Sequence, residues 1–266
     1  MPGLGPHPLT NALILTFDNL GEAAALERGE LPPDARLGRD PSVTKALPWL
    51  LDQLDRHGLM ATFFLEAINC ELYPDAVQEI VVGGHEIGHH GWSHETWRDL
   101  SPQEERDTLA RGLDAFDKLG LRPRGFRPPG GELTERTPAL LRELGFEWCS
   151  PSGDHAEVRD DLAYVPFDWE LVDAYHLMES FGALRVSRGD PERRRAPAEL
   201  ADWLAHRLAA GGCQTLILHP FLMLDDAWAA GVAAVLSVLA ELTRDGLTSV
   251  VPGEMFAASL RSALAS

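Results

Sequence analysis

Four histidines fall within the short stretch Gly84–Glu95: His85, His89, His90 and His94. His90 and His94 have His-x-x-x-His spacing, which on a helical turn puts both rings on one face, where two neutral imidazoles can hold one divalent cation. Imidazole suits zinc-like ions because it binds as the neutral ring. The same spacing also fits two surface or capping histidines. Three further chemically capable residues each end a strand-like run. Asp18 follows Ala12–Phe17, Arg127 follows Gly125-Phe126, and His219 follows Gln214–Leu218. Each has a plain alternative: a turn carboxylate, an arginine in a surface ion pair, or a hydrogen-bonded core histidine before Pro220. His85 reads as part of a strand entering the site, and His89 as a structural residue pointing to that strand's other face.

The elements that must carry these residues alternate along the chain. Ala12–Phe17 is a continuous apolar run, the pattern of a buried strand that delivers polar groups at its C-terminal end. Gly21–Pro41, rich in Pro, Gly and charge, reads as a long irregular connection of the kind often used functionally. Ser42–His57 reads as a helix with Leu47, Leu50, Leu51 and Leu54 on one face, stopped by Gly58. Ala61–Leu65 is the next buried strand. Helices follow at Asp75–Val82, Ser101–Leu119, Thr134–Leu144, Ala198–Ala210, Asp226–Arg244 and Gly253–Ala263. Strands are expected at His85–Gly91, Gly125–Arg127, Phe146–Cys149, Ala163–Phe167, Gln214–His219 and Leu247–Val251. This alternation predicts a parallel sheet covered by helices. The preferred α/β architecture is a single distorted (β/α) barrel of about seven βα units over residues 1–266, with residues 21–41 as a long loop on the active-site side. Polar residues at strand ends fit a barrel, whose sites lie there. A doubly wound open sheet is the alternative, but no Gly-rich dinucleotide fingerprint follows the first strand.

With 266 residues, the chain is long enough for a sizeable core. Its net charge of -18 disfavours nucleic acid or an anionic membrane as the main partner. Cys70, Cys149 and Cys213 are odd in number, lie in or beside apolar runs and include no CxxC pair, so they read as buried thiols. The N-terminus lacks the pattern of a secretory leader, and no apolar run looks long enough to span a bilayer; a cytoplasmic location is the expectation.

The ordered segments Thr16-Phe-Asp-Asn19, His90-Gly-Trp-Ser-His94, Phe126-Arg-Pro-Pro-Gly-Gly131 and Leu216-Ile-Leu-His219 resemble the polysaccharide deacetylase superfamily, carbohydrate esterase family 4. The resemblance covers roughly residues 11–221, and Gly84–Glu95 is most similar to the signal-less, intracellular-type branch, which also includes hydrolases of small cyclic imides and ureides. It implies a distorted (β/α) barrel and metal-dependent hydrolysis of an amide C–N bond. Asp18 would be the general base, Arg127 its orienting partner, and His219 the general acid. Asp173 would charge and orient His219, with Asp168 as competitor. His90, His94 and Asn19 would hold one divalent ion, zinc or alternatively cobalt. The backbone N–H near Gly130 would help hold the oxyanion.

The sequence departs from the family's pattern in two places. Asn19 stands where the family has a metal-binding Asp and offers only a neutral oxygen, which leaves Asp18 or Glu22 as possible substitutes. Gly130 replaces a frequent aromatic residue and should widen one wall of the site. The expected substrate is a small-molecule or oligosaccharide amide, foremost an N-acylated amino sugar. A cyclic imide or ureide is the first alternative, and a catalytically silent barrel that binds carbohydrate or a protein partner is the second.

Overall fold

The computed structural model describes residues 11–190 and 195–264; the Met1–Pro8 stretch considered above for a leader lies outside them. The strands are β1 (Ala12–Asp18), β2 (Thr62–Leu65), β3 (Glu86–His89), β4 (Gly125–Phe126), β5 (Trp148–Cys149), β6 (Glu157–Arg159), β7 (Leu162–Tyr164), β8 (Gln214–Leu218) and β9 (Ser249–Val250). They form one curled sheet in the order β6-β7-β5-β4-β3-β2-β1-β8, with β9 also paired to β1. Every pairing is parallel except β6–β7. Bridges from Ser152 to Phe167 and from Val172 to Ile217 carry the curl toward closure between β8 and the chain after β7. The Thr215 hydroxyl adds a hydrogen bond to the Pro166 carbonyl at 2.9 Å. The distorted barrel and its parallel strands therefore agree with the sequence reading.

Side-chain alternation divides the strands into an outer and an inner set. Leu13, Leu15 and Phe17 of β1, Phe63 and Leu65 of β2, and Leu216 and Leu218 of β8 pack outward in one cluster with the covering helices. Ile14, Phe64 and Trp148 pack inward with Val251, Phe256 and Ala257. Helix Leu47–His57 buries Leu47, Leu50 and Leu54 and ends at Gly58, whose φ of 64° is favourable for glycine. Helix Asp226–Arg244 begins at Asp225, whose side chain accepts from the Trp228 N–H. This helix is long and apolar enough to cross a membrane by length and composition, contrary to the sequence reading. In the fold it buries Trp228, Val232, Val235, Leu236 and Leu239 in the outer cluster.

Three further details differ from expectation. Residues Ser42–Ala46 form a π-helical turn before the α-helix proper. The β6–β7 hairpin was not anticipated; it turns through Asp160 and Asp161, with φ of 48° and 65°. That turn requires left-handed backbone at both positions, and Asp supplies it with a weaker sequence signal than Asn-Gly. Cys70 and Cys149 are buried thiols, but Cys213 is exposed.

The floor of the barrel holds a carboxyl group. Glu86 accepts hydrogen bonds from the Thr62 hydroxyl at 2.6 Å, the Glu254 N–H at 3.0 Å and the Trp148 indole at 3.2 Å. Burial dominates these bonds and pushes its pKa from 4.5 up to about 7. An acid whose folded pKa is raised contributes full stability below its unfolded pKa and loses it as pH rises through the folded one. Melting temperature is therefore expected to fall between about pH 4.5 and 7, and Glu86→Gln should flatten that fall in calorimetric scans. An equally steep fall in the variant would show that other groups set it.

Candidate active site

The strand register aligns the inward-facing polar residues at the C-terminal rim. Leu65 pairs with His89, His89 with Phe126, and Phe126 with Cys149. The next residues, Glu66, His90, Arg127 and Ser150, therefore form one inward row. Phe17 pairs with Leu218, which brings Asp18 level with His219 on the adjoining strands. All six side chains are buried. Inward parity after an apolar strand is the common rule.

Asp18 Oδ1 accepts from Arg127 Nη1 at 2.7 Å. The same nitrogen reaches the Thr16 hydroxyl at 2.8 Å, and Nη2 reaches the Ser150 hydroxyl at 2.9 Å. The guanidinium lies 4.1 Å from the Phe64 ring centroid. Burial lowers the Arg127 pKa, and the Asp18 charge opposes that effect. The second Asp18 oxygen stands 3.9 Å from His90 Nε2.

His219 pairs with Asp173, and Asp168 is ruled out as its partner. Asp173 Oδ1 is 2.5 Å from His219 Nδ1, while Oδ2 accepts from the His219 backbone N–H at 2.9 Å and the Trp228 indole at 3.2 Å. Asp168 instead caps a short 3-10 turn and pairs with Arg188 at 2.9 Å. Burial alone would lower the His219 pKa, but the Asp173 charge and hydrogen bond outweigh it and raise the value.

His90 and His94 do come together, though not on a helix. Gly91 and His94 take left-handed backbone, with φ of 78° and 71°, and fold the segment into a tight loop. Glu95 fixes that loop by accepting from the Trp92 and Ser93 N–H groups at 2.9 and 3.1 Å. The two rings lie 5.1 Å apart between centroids. His90 Nδ1 contacts the Arg127 carbonyl at 2.8 Å, an arrangement that leaves Nε2 free to bind metal. Burial pushes both rings down to about 3, so both are neutral at pH 7 and able to ligate.

The sequence reading missed Glu66. Ligand atoms of Glu66, His90 and His94 all lie within 4.8 Å of one another. Asn69 Nδ2 holds one Glu66 oxygen at 3.3 Å, while Oε1 is buried without a hydrogen-bond partner. Asn19 Oδ1 is likewise buried and unpartnered. Two orphaned buried oxygens beside two neutral imidazoles fit a divalent cation. A signal for Glu66 did exist, since it directly follows an apolar strand with the same inward parity as Asp18. Glu22, considered as a substitute ligand, is engaged elsewhere. It accepts from the Tyr73 hydroxyl at 2.5 Å and the Gly38 N–H at 2.9 Å, and so ties down the loop of residues 21–41. His85 lies at the opposite end of β3, where it accepts from the Ala61 N–H at 3.3 Å. His89 points outward and packs on Phe116, Phe126 and Phe146.

These groups open into a cavity of about 470 Å³ lined by Asp18, Asn19, His90, His94, Arg127 and His219, with Gly130 at its edge. A Cβ at Gly130 would meet nothing within 4 Å, consistent with an opened wall.

The pattern describing polysaccharide deacetylases matches residues 9–149, more than half of the chain. The chain belongs to the polysaccharide deacetylase family. Over 118 residues it is 33% identical to a peptidoglycan-N-acetylglucosamine deacetylase from Bacillus cereus, covering 43% of each protein. Over 136 residues it is 30% identical to chitin deacetylase 1 from Saccharomyces cerevisiae, covering 47% of this chain and 45% of that relative. The matched region thus spans under half the length of these relatives. A crystal structure from Mycobacterium smegmatis, described as a polysaccharide deacetylase, superposes with a TM-score of 0.81 at 27% identity, over 98% of this chain and 93% of the other. Enzymes of this family are metalloenzymes, and the Glu66, His90 and His94 group is the candidate metal centre.

Glu66→Gln is expected to weaken zinc binding by more than about tenfold, a loss of about 1.4 kcal/mol, in chelator competition. Asn19→Ala should lose less. The reverse ranking would make Asn19, not Glu66, the principal oxygen donor.

Proposed function

We propose that this protein is a metal-dependent hydrolase of non-peptide amide C–N bonds that removes an acyl group from an amino-sugar substrate. Zinc is the first choice of ion and cobalt the alternative. One observation carries the reading: Asp18, Arg127 and His219 line the same cavity as His90 and His94, with Asp173 paired to His219 and a Glu66 oxygen within 4.8 Å of the histidine ligand atoms. The deacetylase relatives from Bacillus cereus and Saccharomyces cerevisiae support the choice of substrate class.

The ion, when bound, supplies a Lewis acid that polarises the carbonyl and acidifies water. Arg127 holds one Asp18 oxygen, so the other is left to accept the proton of the attacking water. The water oxygen bonds to the amide carbon, and the Gly130 N–H assists at the resulting oxyanion. His219 then gives its proton to the amide nitrogen as the C–N bond breaks, releasing a carboxylate and an amine. Asp173 keeps that imidazole charged and directs its Nε2 to the substrate side.

A cyclic imide or ureide is the second reading, favoured by the bounded cavity, whose roughly 470 Å³ suits a small molecule. A silent binding barrel is disfavoured, because a binding module has no use for a base, its orienting arginine and a charged acid together. Carboxylate release from N-acylated glucosamine oligomers, against ring opening of imides, separates the two enzymatic readings; loss of neither substrate from zinc-loaded protein would contradict both.

Asp18→Asn is expected to reduce turnover by roughly 10²–10⁴-fold. Asp173→Asn should remove the influence that raises the His219 pKa, so the alkaline limb of the pH–rate profile should move to lower pH. An unmoved limb would take the acid role away from His219.

A further inference from the structure

We infer that the acyl group removed at this site is larger and more apolar than acetyl, in the range from butanoyl to phenylacetyl. The inference rests on the amide-hydrolase reading above and concerns the half of the cavity that the chemistry leaves unused. The catalytic groups make up only part of the lining of the roughly 470 Å³ space. The remainder is lined chiefly by Phe167, Trp169, Met178, Phe181 and Phe221, together with Ile217. Their rings form a continuous surface: Phe167 lies 5.1 Å from Trp169, and Trp169 lies 5.5 Å from Phe181, between centroids. Phe221 lies 5.4 Å from the His219 ring, so the apolar wall starts directly beside the proton donor.

Beyond the catalytic and metal-binding residues, the polar side chains on the lining are Arg28, Asp40 and Ser180. Arg28 is half exposed and its Nε donates to Glu30 at 2.8 Å. A sugar ring pressed into the aromatic half would set several hydroxyls against hydrocarbon without partners, which is unfavourable. An apolar acyl chain there would leave water without losing a hydrogen bond. The polar amine half of the substrate is then left to the polar lining, including half-exposed Arg28, and to solvent. An acetyl methyl would leave most of the apolar wall uncovered.

A second part of the lining is tied down. The loop of residues 21–41, which contributes Ala24 and Ala25 to the lining, is held by Glu22 on Tyr73 and by Glu27 on the Ser93 hydroxyl at 2.5 Å. A preformed pocket discriminates by size and polarity better than one that must close around its ligand.

The test uses the full chain loaded with zinc. Calorimetry would measure binding of acetate, butanoate and phenylacetate, and a parallel assay would compare hydrolysis of the N-acetyl, N-butanoyl and N-phenylacetyl derivatives of glucosamine. Affinity and kcat/KM are expected to rise at least about tenfold from the acetyl to the phenylacetyl member. Phe181→Ala and Phe221→Ala should each shrink that ratio. A flat or falling series in both assays overturns the inference, and leaves the deacetylase reading intact if the acetyl derivative is cleaved. A rising carboxylate series with no glucosamine amide cleaved would support the acyl preference while removing the amino sugar from the proposed function.

Discussion

A guanidinium buried inside a barrel must satisfy most of its N–H groups with protein partners. Arg127 is 1% exposed, and its partners come from three strands: Asp18 and Thr16 on β1, Ser150 at the end of β5, and the face of Phe64 on β2. That single charge therefore fixes the relative placement of most of the rim. Removing one partner of such a pair would leave the other buried and uncompensated, at about 3–5 kcal/mol. The same residue reaches the metal-binding side through its backbone, since its carbonyl orients His90. Asp18, His90 and the barrel wall are thus tied through one residue.

The His219–Asp173 pair repeats this logic across the cavity. Asp173 opens a short helix, and its carboxylate accepts from the Ala174 N–H at 2.7 Å as well as from His219 and Trp228. Four hydrogen-bond contacts fix its position, so the imidazole it charges is also aimed. One carboxylate is thus held by an arginine and left able to accept a proton, while the other holds a histidine and keeps it able to give one. The two environments are those that the proposed base and acid require within a single cavity.

Much of this was legible in the sequence, because apolar strands that end in Asp18, Arg127 and His219 announce both an inward direction and a chemistry. The helix at Asp226–Arg244 was equally plain. Other features depended on contacts that local pattern cannot carry. The His90 and His94 rings meet through left-handed backbone at Gly91 and His94, not through helical periodicity. Asp173, preferred over Asp168 in the sequence, is settled by its contact with His219, 46 residues downstream, while Asp168 pairs with Arg188. Glu66 follows β2 with the same inward parity as Asp18 at the end of β1, but its place beside His90 and His94 depends on non-local strand register. The β6–β7 hairpin turned on two aspartates that carry little turn signal of their own.

The proposed chemistry requires the ion to sit among His90, His94 and Glu66. A crystal structure of the zinc-loaded chain, with anomalous scattering at the zinc edge, addresses that directly. The expected result is one strong peak bonded to His90 Nε2, His94 and Glu66, with Asp18 still paired to Arg127 and His219 facing the ion across the cavity. A peak elsewhere, or an ion at the histidines with Glu66 turned away from it, would contradict the arrangement on which the proposed chemistry is built.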